Sequence, residues 1–104
     1  MKLKGQRSYA SLSSLMDGAA ELNSDLVERG TIFKKFLFKD EKNYIAILFV
    51  GPQSKIKLHK HQTDNEEYKD LDTQDVEKCK MGDWHYLENE SEDKWLVVQA
   101  HKYI

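Results

Sequence analysis

The chain has 104 residues, 16 basic and 18 acidic side chains, a formal net charge of -2, and an apolar fraction of 39%. That length supports one domain with one modest core, and the balanced charge excludes a nucleic-acid surface, which needs concentrated basic charge. The longest apolar run, YIAILFV at 44–50, is far too short to span a membrane as a helix.

Cys79 is the only cysteine, so no disulfide can form within the chain, and it reads as a small buried hydrophobe. The N-terminal MKLKGQRSYASL has basic residues but no apolar stretch behind them, unlike a secretory signal. A cytoplasmic location is the expectation.

Taken in order, residues 8–29 read as helical. Leu12, Leu15, Met16 and Ala19 fall at helical spacing and suit a helix packing on a sheet better than a membrane anchor. Ser24 could cap a short turn through Asp25 to Arg29, and Gly30 marks a switch to strand character. TIFKKFLFK (31–39), the turn-prone DEKN (40–43) and YIAILFV (44–50) form a hairpin pattern. YIAILFV is apolar on both parities, which predicts a central strand covered on both faces. SKIKLHKH (54–61) alternates, as do DWHYLEN (83–89) and KWLVVQAHKYI (94–104), with a turn at ENESED (88–93). The charged run at 64–80 reads as a solvated hairpin or loop. The expectation is an all-β fold of six or seven short strands, 31–104, with a helical segment, 1–30, packed on it.

The chemistry concentrates in KLHKHQTDNEEY (57–68). Residues i and i+2 of a strand share a face, so His59 and His61 converge. Imidazole is the commonest metal ligand, and a metal needs three or four donors at about 2 Å. Glu66 or Glu67 follows closely, and His85 lies on a later strand. Lys55 and Lys57 have the parity of the histidines, which brings Lys57 toward the same cavity unless a bulge breaks the alternation. His85 and Trp84 must face opposite ways.

Gly51, His59, His61 and Glu66 resemble the first motif of the cupins, a histidine-x-histidine followed shortly by a glutamate. Gly82-Asp83-Trp84-His85-Tyr86-Leu87-Glu88-Asn89 resembles their second motif. The resemblance spans residues 44 to 100 and implies a small cupin-like β-barrel or jelly-roll sandwich. It also implies one divalent ion, iron, manganese, nickel or zinc, held by His59, His61, Glu66 and His85, with Glu67 the alternative carboxylate. Oxygenase, isomerase or lyase chemistry on a small polar or anionic molecule would follow. The alternatives are a non-catalytic ligand-binding or sensing module, or a structural dimer module with a relic metal motif. Lys57 would orient an anionic substrate group, and His101, on the parity of Trp95, Val97 and Gln99, is the candidate for proton transfer. A homodimer paired through an edge strand such as 31–39 is expected. Lys80 stands where the family usually has proline. The short stretch from Tyr68 to Lys80 implies that the hairpin between the motifs is shortened or missing.

Overall fold

The alternating and doubly apolar runs of the sequence become ten strands and one helical turn. The computed structural model describes residues 1–104. In chain order the elements are β1 (Lys2–Leu3), α1 (Tyr9–Leu12), β2 (Ala20–Glu21), β3 (Val27–Arg29), β4 (Ile32–Lys39), β5 (Tyr44–Val50), β6 (Lys55–His59), β7 (Asn65–Asp70), β8 (Val76–Cys79), β9 (His85–Asn89) and β10 (Leu96–Tyr103). They form a four-stranded sheet, β1-β9-β6-β3, facing a six-stranded sheet, β2-β4-β5-β10-β7-β8. No helix is long and apolar enough to cross a membrane.

The double apolar parity of β5 is explained by its two covers. Leu48 and Val50 point between the sheets, where they pack with Ile32, Ile56, Leu87 and Val98. Ile47 and Phe49 point the other way and pack with Val97 and Leu12. Each large apolar side chain removed from water on either face contributes roughly 1.5–3 kcal/mol. β5 sits between β4 and β10, so its backbone is paired on both edges as well.

The N-terminal segment supplies that outer cover, but with less helix than its spacing predicts. Only Tyr9–Leu12 is helical, capped by the Ser8 side chain, which accepts from the Ser11 N–H at 3.2 Å. The serines end it: the Ser11 and Ser13 hydroxyls donate to the Ser8 and Ala10 carbonyls, offering the backbone an alternative to continued helix. Successive turns follow, with the Met16 N–H donating to the Leu12 carbonyl and Ala19 N–H to that of Met16. They still bring Leu12, Met16 and Ala19 onto the core while Leu15 stays 48% exposed. The Ser24 hydroxyl accepts from the Leu26 N–H, and Val27–Arg29 is a strand rather than a continued turn. Residues 1–30 thus also place three short strands on sheet edges, β1 on β9, β2 on β4 and β3 on β6.

From residue 31 onward there are seven strands. The stretch between the two histidine motifs holds β8, which pairs antiparallel with β7 as a short hairpin. Gly30, at φ +80°, makes the left-handed turn into β4, and a Cβ there would collide with Ser54.

Asn89 ties the frame together. It is fully buried, and its amide nitrogen lies within 3.0 Å of the Val50, Gly51 and Lys94 carbonyls. Its side-chain oxygen accepts from the Gly5 and Ser91 N–H groups, both at 3.0 Å. Gly5 has no room for a side chain, since a Cβ would lie 2.5 Å from the Lys94 oxygen. Asn89→Ala would leave several buried backbone groups unpaired and is expected to cost about 3 kcal/mol of stability. Urea unfolding of the variant checks this, and an unchanged midpoint would remove Asn89 from that role.

Candidate metal centre

β6 and β9 pair so that His59 stands opposite His85. A register shift between Ile56 and His59 interrupts the ladder, and this bulge reverses the alternation, as extra residues in a strand do. Ile56 and His59 are both buried while Leu58 is 54% exposed. Lys55 and Lys57 therefore do not share the inward face of His59. Lys55 pairs with Glu28 and lies over the Tyr86 ring, and Lys57 does not line the histidine cavity. What Lys57 supplies is its backbone: its carbonyl lies 2.7 Å from Nδ1 of His59.

That contact fixes a tautomer. A carbonyl only accepts, so Nδ1 of His59 carries the proton and Nε2 presents a lone pair. His85 repeats the arrangement, with Nδ1 3.0 Å from the Asp83 carbonyl. On β7 the alternation buries Glu66, Tyr68 and Asp70. Glu66 is 4% exposed and is the carboxylate that joins the histidines; Glu67 lies on the opposite face, beside His101 in register. The Tyr68 hydroxyl donates to Oε2 of Glu66 at 3.1 Å. Oε1 lies 2.5 Å from Nε2 of His61 and 3.2 Å from Nε2 of His85.

His59, His61, Glu66 and His85 thus each offer one donor atom, all within 4.8 Å of one another. That is the scale of one coordination sphere whose donors stand about 2 Å from an ion. The electrostatics fit a cation. With Nδ1 of His85 protonated, Nε2 and Oε1 are two acceptors facing each other, which is unfavourable unless a proton or metal lies between them. Nε2 of His61 is buried and makes no hydrogen bond despite its proximity to Glu66. The Asp64 carboxylate, held by Lys102 at 3.1 Å, lies 3.7 Å from Nδ1 of His61. Burial, before all other influences, lowers the His59 pKa, and the neighbouring His85 and His61 act in the same direction against Lys57 and Glu66. A neutral imidazole is the ligating form.

His101 lies on the other face of β10 from Ala100, which lines the cavity. It stacks near Tyr103, with ring centroids 5.0 Å apart, and is not brought to the cluster. Trp84 is 62% exposed, as its opposition to buried His85 requires. Cys79 is buried, and burial, then Glu77 and Glu66, pushes its thiol up to about 11.

The cavity beside the cluster is lined by Leu22, Leu26, Leu48 and Ile56, with Lys34 and Tyr44 as polar members. Neither polar residue stood out in the sequence. The signal was present: Lys34 has the parity of Ile32, so a lysine occupies an inward position of β4. Burial lowers its pKa, opposed by Glu66 and assisted by Lys102 and Lys39.

No family model and no curated protein matches the sequence. Solved structures do match. A cupin-like protein from Thermotoga maritima superposes with a TM-score of 0.64 at 16% identity, over 81% of this chain and 76% of that one. A cupin-2 domain from Rhodospirillum rubrum gives 0.65 at 14% identity, over 99% and 76%. A predicted oxalate decarboxylase from Thermotoga maritima gives 0.57 at 21% identity, over 83% and 91%. At these identities the likeness is one of architecture: the chain has the cupin fold.

Proposed function

We propose that this protein binds one divalent metal ion through His59, His61, Glu66 and His85 and holds a small polar or anionic molecule beside it. The observation that carries this reading is the meeting of Nε2 of His61 and Nε2 of His85 on one oxygen of Glu66, at 2.5 and 3.2 Å. Three imidazoles and a carboxylate suit iron, manganese, nickel or zinc. The ion would supply Lewis-acid polarisation of a carbonyl or carboxylate. The chain's own residues prepare for it: the Lys57 and Asp83 carbonyls orient two imidazoles, Tyr68 aligns Glu66, and Leu22, Leu26, Leu48 and Ile56 give the cavity an apolar wall. Oxygenase, isomerase and lyase chemistry, or ligand sensing without turnover, are all served by such a centre, and fold does not choose among them.

We also infer a homodimer. Phe36, Leu37 and Phe38 are 47%, 58% and 52% exposed, and β2 pairs only with Phe33 and Lys34 of β4. The remaining edge offers unpaired backbone beside an apolar run, which suits strand pairing with a second copy. Sedimentation of the parent should give a dimer, and Leu37→Lys a monomer.

Elemental analysis should find near-stoichiometric metal in the parent and none in His59→Ala or His85→Ala. Tyr68→Phe keeps the ligands but frees Glu66 and should weaken metal affinity by about 10- to 100-fold, measured by competition with a chelator. An unchanged affinity would mean that the hydroxyl does not position Glu66.

Acid should destabilise the metal-free protein through His59. Its folded-state pKa lies below the ordinary 6.5, so the unfolded chain takes up the proton first as pH falls. Stability is full above the unfolded value and is lost as pH falls through the folded one. The urea midpoint should decline from pH 7 to pH 5, and His59→Gln should flatten that decline.

A further inference from the structure

The wall facing the histidines carries positive charge that the fold does not neutralise. Lys34 makes no ion pair, and its polar contact is the Tyr44 hydroxyl at 3.4 Å. Its ammonium lies 4.4 Å from the centre of the Tyr44 ring and 4.8 Å from that of Phe36. Two more lysines crowd the same rings. Lys39 stands 4.9 Å from the Phe36 centroid and Lys102 5.5 Å from that of Tyr44. Asp64 compensates Lys102, whereas Lys34 and Lys39 have no carboxylate partner.

Holding the Lys34 ammonium half-buried without an ion pair is costly, and the attraction of the two ring faces offsets only part of that cost. The ion-ligand set adds to the excess: three neutral imidazoles and one carboxylate leave a divalent ion with a net positive charge. The cavity between is small, about 80 Å³, and mostly apolar. A charged ligand must therefore be short and must present its anionic end to β4 and β5.

We propose that Lys34 and Tyr44 bind the carboxylate of a small organic acid whose body lies against Leu22, Leu26, Leu48 and Ile56. The assignment rests on the metal-centre reading only for what the far end of the acid meets. Tyr44 and Lys34 both donate, so two donors 3.4 Å apart can serve the two oxygens of one carboxylate. Burial, then Glu66 and Asp64, raises the Tyr44 pKa, which keeps the phenol a donor. Lys57, the cation that strand parity suggested, lies outside this cavity.

Propanoate and its neutral analogue propanamide test the assignment, titrated by NMR into the full chain with and without added zinc. The parent should bind propanoate in both forms and propanamide in neither. Lys34→Met keeps the apolar stem and should weaken propanoate by about tenfold or more, the scale of a lost charged hydrogen bond. Lys34→Arg should recover part of the loss, and Lys55→Met, at a lysine outside the cavity, should match the parent. Equal binding of the two probes, no binding by the parent, or parent-like binding by a folded Lys34→Met would overturn the proposal. Metal stoichiometry measured on the same protein judges the metal centre separately. A parent that takes up none of zinc, iron, manganese and nickel yet binds propanoate through Lys34 would overturn that reading and leave the carboxylate site standing.

Discussion

The bulge in β6 is the constraint on which the site depends. Ile56 and His59 are three residues apart, an odd spacing that a regular strand would place on opposite faces. Ile56 belongs to the core, so an unbroken β6 would send His59 to solvent. The shift in register turns it inward while Ile56 stays buried. Local bonds hold the irregular stretch: the Lys57 N–H donates to Leu26 at 2.8 Å, and the Lys57 carbonyl accepts from His59. One residue of distortion therefore both aims an imidazole and sets its tautomer.

β9 carries the complementary task. Its alternation buries His85, Leu87 and Asn89 on one face, so a candidate ligand, a core residue and the main polar tie succeed one another along five residues. Asn89 holds the strand to Gly5, to the end of β5 and to Lys94. His85 inherits its position from that anchoring. The N-terminal segment, bound by the same asparagine, contributes Leu22 and Leu26 to the cavity wall.

Much of this was legible in the residues. The parity of YIAILFV announced a doubly covered strand, and the resemblance of the two histidine motifs to those of the cupins implied the four side chains that meet, His59, His61, Glu66 and His85. Glu66 over Glu67 was a question of alternation, which the buried face of β7 answers. The N-terminal helix was less legible because tertiary packing needs only Leu12, Met16 and Ala19 in place, and turns deliver them as well as a helix does. The place of Lys57 turned on whether a bulge interrupts β6, which no single residue announces and which the register shift between Ile56 and His59 settles. His101 carried the right chemistry on the wrong face of β10, where Val97 and Gln99 also lie. Lys34 went unnoticed because lysines in a charged sequence attract no attention until their parity is compared with Ile32.

The four donor side chains do not come from one layer. His59 and His85 belong to the smaller sheet, Glu66 to the larger, and His61 to the link between β6 and β7. An ion held by all of them would act as a rivet between the two sheets, where no disulfide can serve because the chain has a single cysteine. Parting the sheets there would then require stretching metal–ligand bonds rather than merely separating apolar surfaces. Any motion that admits a small molecule would have to leave the two layers clasped.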